Sequence, residues 1–233
     1  GPHISRVAKE IAGLAGGALP LNRSSSAFVR VDDAKSVIWS IMITGPEDTP
    51  YDGGCFVFDA FFPSGYPTHA PKIQFKTTGG GRWRANPNLY KDGKVCLSLL
   101  GTWHGEGWMV PTASNFGSTI LQVLVSIQAL IFVSDPYYNE PGYERDMGTP
   151  KGDAACKEYS AKRREATVRF APPKRALVST RKSGKRRTSR ATRNRPPRYG
   201  TPSSCGVEAG SRAGHQPSVI PLIPWFIRHR NAR

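Results

Sequence analysis

Apolar residues at the start of the chain recur every three or four positions. They are Ile4, Val7, Ile11 and Leu14. Charged residues fall between them, so this spacing predicts an amphipathic helix over residues 4–14 that ends at Gly16-Gly17.

Four short runs rich in β-branched and aromatic residues follow this helix. The runs cover residues 28–31, 37–43, 55–62 and 72–75. Gly, Pro and Asp separate them, as is typical of strands joined by turns. Because the connections are short, we expect an antiparallel meander.

The pattern changes after the fourth strand. Residues 77–113 have little periodicity and are rich in Gly, Pro, Asn and Trp, and a long irregular loop within a domain is usually functional. Residues 116–133 are apolar on most faces, which predicts a largely buried central helix. We expect a short helix after Pro141 and a polar helix over residues 153–169. These elements predict an α+β fold.

Charge is distributed unevenly along the 233 residues, whose formal net charge is +16. Residues 172–233 contain 15 Lys and Arg but only one acidic residue, Glu208. We therefore predict a domain over residues 4–171 and a basic, disordered tail over residues 172–233. The tail lacks interleaved aromatic residues, so it predicts only salt-sensitive, non-specific nucleic-acid binding. Its run from Arg181 to Arg187 fits a nuclear signal equally well, and the composition of the tail also fits non-native read-through sequence.

The four cysteines are scattered and form no paired motif. They are Cys55, Cys96, Cys156 and Cys205. Neither a zinc site nor a disulfide framework is expected, and free thiols suit a cytoplasmic or nuclear protein. His104 has no second metal ligand at useful spacing, and no cofactor is predicted. Residues 120–133 are too few to span a membrane, so no membrane partner is predicted.

Cys96 is the strongest candidate for chemistry. Asn88 lies eight residues before it, and an Asp92-Gly93 turn separates them. A thiol that performs acyl transfer needs a donor for the oxyanion that forms on a thioester carbonyl, and a fixed amide supplies one. A lone cysteine is more often a buried structural residue. The assignment of Cys96 as a nucleophile therefore depends on the other motifs of the chain.

Several motifs in order provide that context. The chain contains Tyr66-Pro67, Asn86-Pro87-Asn88, Cys96 and Trp108-x-x-Pro111. Together they resemble the ubiquitin-conjugating (UBC) family over residues 4–171. Asn86 replaces the His of the family's His-Pro-Asn motif, which we do not interpret as loss of activity. Residues 102–105 and 139–145 resemble one branch, that of a giant inhibitor-of-apoptosis protein and large hybrid conjugating enzyme/ligases.

The resemblance implies a UBC fold with an N-terminal helix, a four-stranded antiparallel meander, a long central helix and C-terminal helices. It also implies an enzyme. Such a protein accepts ubiquitin, or a ubiquitin-like modifier, from an activating enzyme as a thioester on Cys96. It then transfers the modifier to a lysine of a protein substrate or to a ligase.

The same resemblance suggests roles for further catalytic residues. Asn88 would stabilise the oxyanion or hold the loop. Glu140 occupies the family's acidic position beyond the central helix, although a solvated loop acid is an equal reading. Ser98 occupies a position where many members have Asp, and it would be open to phosphorylation as a gate. We expect Trp103, His104 and Trp108 to pack the loop over the site, and Tyr137 and Tyr138 to line the approach.

Partner contacts follow by alignment. Arg6 and Lys9 would meet an acidic domain of the activating enzyme, unless they form a solvated helix face. Phe75 and Pro111 align with the two loops that contact RING-type ligases. Two other functions remain open: a non-catalytic UBC-like binding module, against which Cys96 and Asn88 together argue, and a nucleic-acid binder that uses the tail.

Overall fold

The structure, a computed structural model, describes residues 2–22 and 24–174. Its helices are α1 (Pro2–Gly13), α2 (Ile120–Ser126) and α3 (Pro150–Phe170). Its strands are β1 (Ala27–Val31), β2 (Ile38–Thr44), β3 (Cys55–Phe61) and β4 (Lys72–Phe75). π-helical turns extend α1 over Leu14–Ala18 and α2 over Ile127–Ile131. Short 3-10 turns cover Ser98–Leu100, Pro136–Asn139 and Tyr143–Asp146.

The four strands form one antiparallel sheet in the order β1-β2-β3-β4. Ile41 pairs with Phe58, and Phe58 pairs with Phe75, so these three side chains form a row across the sheet. Each of them is at most 1% exposed. The predicted α+β fold with a four-stranded meander is confirmed.

The central helix supplies much of the core. Its buried side chains recur with helical spacing at Ile120, Val123, Leu124, Ile127 and Ile131. Phe132 follows directly, and its ring lies 4.6 Å from that of Phe56 and 5.0 Å from that of Tyr51. This packing brings the end of the central helix close to the turn between β2 and β3.

The predicted start of the central helix at residue 116 is wrong by four residues. The Thr119 hydroxyl accepts from the Gln122 backbone N–H, and the Gln122 side chain accepts from the Thr119 N–H. This capping box starts the helix at Ile120. Phe116 lies before it on the loop and is 88% exposed.

The chain after α3 continues along the edge of the domain. Cys55 N–H donates to the Pro172 carbonyl at 2.8 Å, and Lys174 N–H donates to the Gly53 carbonyl at 2.8 Å. These bonds extend the domain at least to Lys174, three residues beyond the predicted boundary. The predictions of disorder and nucleic-acid binding were made for residues 172–233, of which residues 175–233 lie outside the described residues. Within the described part of the chain, no helix has the length and apolar character needed to cross a membrane.

Candidate active site

Asn86 organises the Asn-Pro-Asn turn from the inside. Its side chain is fully buried. Its Nδ2 donates to the Tyr51 hydroxyl at 2.9 Å and to the Ile131 carbonyl at 2.8 Å. Its Oδ1 accepts from the Asn88 backbone N–H at 2.8 Å. One amide therefore fixes the turn to the end of the central helix and to the β2–β3 connection.

Asn88 and Cys96 are joined by two reciprocal hydrogen bonds. Cys96 N–H donates to the Asn88 carbonyl at 2.9 Å, and Asn88 Nδ2 donates to the Cys96 carbonyl at 3.0 Å. Cys96 is 2% exposed and Asn88 is 8% exposed. The structure thus brings the predicted amide and thiol residues together. In this arrangement the amide holds the loop, and its action on an oxyanion stays a prediction.

The turn between Asn88 and Cys96 is anchored to the sheet at Gly93. Its carbonyl accepts from the Phe75 N–H at 2.8 Å. Its φ is +93°, and a Cβ at this position would lie 2.7 Å from the Phe75 carbonyl oxygen. Only glycine meets both conditions without strain, so the Asp92-Gly93 turn carries the chain back to the nucleophile.

An open cleft of about 360 Å³ lies beside Cys96. Asn88 and Ser98 line it, and Ser98 begins the 3-10 turn directly after the nucleophile segment. The Thr102 hydroxyl donates to the Val95 carbonyl at 2.7 Å and accepts from the Leu97 N–H at 3.0 Å. These bonds hold the loop that follows over the cleft.

Trp103 and His104 form one wall of the cleft. Their rings stack with centroids 4.9 Å apart and planes inclined by 27°. Tyr138, Asn139 and Glu144 also line the cleft, from the segment after the central helix. Sequence reasoning assigned no role to Glu144, because only the fold shows which acid of this segment reaches the cleft.

Trp108 and Tyr137 are placed differently from the prediction. The Trp108 indole N–H donates to the Pro67 carbonyl at 2.7 Å, and its ring lies 5.7 Å from that of Tyr66. The Tyr137 ring instead lies 4.6 Å from that of Tyr143. Neither of the two is among the residues that line the cleft.

Glu140 forms an ion pair with Arg84, 3.2 Å away, and does not line the cleft. Arg84 also donates to the Pro87 carbonyl at 2.6 Å and lies over the Tyr90 ring at 4.4 Å. Arg84 therefore braces the residue just before Asn88. Sequence reasoning missed Arg84, because the ion pair joins distant parts of the chain. A chemical role for Glu140 stays a prediction.

Two other described cysteines are held as thiols. Burial raises the pKa of Cys55 to about 11. Burial also raises the pKa of Cys156 to about 11, with help from Asp135, whose Oδ1 lies 3.3 Å from the sulfur. Because the thiolate is the nucleophile, both of them remain unreactive thiols at neutral pH.

Arg6 connects α1 to the loop before the central helix. Its guanidinium donates to the carbonyls of Phe116 and Ser118 at 3.0 and 3.1 Å, and to Glu10 at 3.0 Å. Its side chain is only 16% exposed. Lys9 is exposed. Of the two cations predicted to meet the activating enzyme, Lys9 is thus the more accessible.

The prediction that Phe75 contacts a ligase is wrong. Phe75 is 1% exposed on β4, and its ring packs against those of Phe58 and Trp83 at 5.2 and 6.4 Å. Pro111 does lie on a surface loop, where it is half-buried. The loop exposes the apolar side chains Met109 (49%), Val110 (43%) and Phe116 (88%).

No group of three or more His, Cys, Asp or Glu side chains that could hold a metal ion occurs within residues 2–22 and 24–174.

Comparison with known proteins identifies similar chains. The family model described as ubiquitin-conjugating enzyme matches residues 6–167. The Homo sapiens dual E2 ubiquitin-conjugating enzyme/E3 ubiquitin-protein ligase BIRC6 is 55% identical over 156 residues, which are 66% of this chain and 3% of BIRC6. The probable ubiquitin-conjugating enzyme protein 17 of Caenorhabditis elegans is 51% identical over 177 residues, which are 73% of this chain and 23% of that protein. The chain thus spans only a small part of the length of these relatives.

Proposed function

Because this chain belongs to the ubiquitin-conjugating enzyme family, as its motifs predicted, we propose that it carries a modifier as a thioester on Cys96. The modifier is ubiquitin or a ubiquitin-like protein, received from an activating enzyme. The observation that supports this most strongly is the reciprocal pair of hydrogen bonds between Asn88 and Cys96 beside an open cleft.

Loading exchanges one thioester for another. The Cys96 sulfur, as thiolate, attacks the carbonyl carbon of the thioester on the activating enzyme. A new C–S bond forms, the carbonyl becomes an oxyanion, and the old C–S bond then breaks to release the activating enzyme's thiolate. Asn88 Nδ2 would turn from the Cys96 carbonyl towards this oxyanion, where one donor is typically worth about 10²–10³ in rate.

Transfer consumes the thioester. A lysine amine, or a ligase cysteine, attacks the same carbonyl carbon, and the electron pair of the breaking C–S bond returns to Cys96. The cleft is open and about 360 Å³ in volume, which admits a lysine side chain. Ser98 lines this cleft, so a phosphate on its hydroxyl would occupy space and place negative charge beside the thioester.

The two surfaces that we propose for partners adjoin one another. We assign the activating enzyme to the exposed side of α1 at Lys9, and a RING-type ligase to the loop with Pro111, Met109 and Phe116. Arg6 ties this loop to α1 through two carbonyl groups. Exposed apolar side chains of this size favour a protein contact.

A charging assay tests the proposal. The protein is mixed with ubiquitin, ATP and each candidate activating enzyme, and the products are separated without reducing agent. We expect a band one ubiquitin heavier that reductant removes. Cys96→Ala should abolish it. Cys156→Ala is the matched control, because it removes a described buried thiol away from Asn88, and it should keep the band.

The absence of this band with every activating enzyme and modifier, from protein shown to be folded, would contradict the proposal. It would instead favour the non-catalytic module that binds ubiquitin or ligases. A band that survives Cys96→Ala and disappears in Cys156→Ala would contradict the assignment of the nucleophile.

A further inference from the structure

Transfer to lysine requires a proton acceptor. A lysine side chain is an ammonium ion at neutral pH, and only its neutral amine attacks a carbonyl. The acid expected from the sequence, Glu140, is paired with Arg84 and does not line the cleft. The groups that line the cleft are therefore the candidates to receive the proton.

The titratable groups that line the cleft are Cys96, His104, Tyr138 and Glu144. Cys96 carries the thioester in this step, so it is not available. Partial burial and the neighbouring Asp153 raise the pKa of Tyr138, which keeps its hydroxyl protonated at neutral pH. Glu106 is the acidic residue of the loop that carries His104, and it does not line the cleft.

Glu144 is already engaged. Its Oε2 accepts from the Gly142 backbone N–H at 2.7 Å. Its negative charge can attract a lysine ammonium towards the cleft. A carboxylate is an ordinary weak base at neutral pH, whereas an imidazole changes charge between pH 5 and 8.

We propose that His104 accepts the proton of the attacking lysine, while Glu144 attracts the ammonium group towards the cleft. This inference rests on the proposed thioester at Cys96. In this proposal His104 acts on the amine of the acceptor, so it serves transfer and not loading.

The loop geometry fits this role. The His104 ring stacks on the ring of Trp103, which restricts the orientation of the imidazole. The next residue, Gly105, has a φ of +121°, and a Cβ there would lie 3.2 Å from the Ser98 Cβ. The loop thus packs closely on the 3-10 turn two residues after Cys96. This close approach keeps the imidazole at the cleft.

A His104 ring nitrogen takes one proton from the lysine ammonium and becomes an imidazolium. The neutral amine nitrogen attacks the thioester carbonyl carbon and forms a C–N bond. The C–S bond breaks, its electron pair goes to the Cys96 sulfur, and the second N–H proton passes to that thiolate. The imidazolium gives its proton to water. The products are an isopeptide bond and a free thiol.

The test compares two nucleophiles with preloaded protein in single-turnover discharge. Free lysine needs to lose a proton, whereas hydroxylamine is already neutral at pH 7 and strongly nucleophilic. His104→Gln should slow discharge onto lysine at pH 7 by about 100-fold, a typical general-base contribution. It should leave loading and discharge onto hydroxylamine within about twofold. Glu106→Gln, on the same loop, is the matched control and should leave both discharge rates within about twofold.

Equal losses with both nucleophiles, or no loss with either, would overturn the proposal. Failure to load any modifier would instead overturn the thioester function itself.

Discussion

Asn86 explains how this site differs from the usual motif at the level of a single residue. Its amide makes three hydrogen bonds of 2.9 Å or shorter, two as donor and one as acceptor, and its Oδ1 accepts a longer one from Asn139 Nδ2 at 3.4 Å. A neutral imidazole has one donor and one acceptor, so a His could not reproduce all three. The Asn at the first position of the turn is therefore suited to hold Tyr51, Ile131 and Asn88 together.

The ion pair between Arg84 and Glu140 gives a second prediction about single residues. If Glu140 acts only through Arg84, then Arg84→Met should slow discharge onto lysine by about tenfold, because the Pro87 carbonyl loses a charged donor worth about 1.5–3 kcal/mol. Glu140→Gln should cost less, because Arg84 keeps its bond to Pro87. The double variant should be no slower than Arg84→Met alone. Discharge rates of preloaded protein measure this.

A different result would restore a chemical role for the carboxylate. If the double variant is slower than Arg84→Met by the full factor of Glu140→Gln, the two residues act independently. Glu140 would then work on the acceptor directly.

At the scale of helices and strands, local sequence patterns were enough to predict the strands. They were not enough to predict contacts between residues far apart in the chain. The prediction for β1 differs from the structure by only one residue, because alternating apolar residues and turn residues are local signals. The helix at 116–133 was extended too far, since the apolar pattern includes Phe116 and outweighed the capping signal at Thr119. Phe75 was misassigned because alignment gives position along the chain and not burial. The Arg84–Glu140 pair depends on how separate elements pack, which no local pattern shows.

The connection between α1 and the loop before α2 yields a prediction for stability. Arg6→Met removes two bonds to backbone carbonyls and leaves the carboxylate of Glu10, a residue only 7% exposed, without its cation. Breaking such a buried pair costs about 3 kcal/mol. Thermal unfolding should therefore show a Tm lower by several degrees. Lys9→Met, on the exposed side of α1, should leave the Tm nearly unchanged.

Adding Glu10→Gln to Arg6→Met should recover part of the loss, because the unpaired buried charge is then removed. Equal effects of Arg6→Met and Lys9→Met on the Tm would contradict this view of Arg6. Arg6 would then belong to the partner surface alone.

At the scale of the whole molecule, the described domain is nearly neutral and the rest of the sequence is strongly basic. The domain is completed by residues 172–174, which bond to the start of β3. The fold and the pairing of Cys96 with Asn88 followed from motifs. For residues 175–233 the sequence composition alone supports a prediction. It shows a strong positive charge but no particular binding site.

Removal of residues 175–233 should separate the two predicted activities. We expect the full chain to be retained on nucleic acid at low salt and released as salt rises, since Lys and Arg exchange counterions with phosphates. The chain that ends at Lys174 should lose this retention and load the modifier at the same rate. Undiminished retention by the shortened chain would place the binding in the domain, and lost loading would make the basic segment part of the enzyme.

The most direct measurement is a peptide map of the loaded protein, made by mass spectrometry without reductant. If Cys96 carries the modifier, the map should show the C-terminal residues of the modifier attached to the peptide that contains Cys96. Cys55 and Cys156 should be unmodified. The attachment should disappear on treatment with a thiol. Attachment at another cysteine, or at a lysine with Cys96 free throughout the reaction, would contradict the thioester role of Cys96.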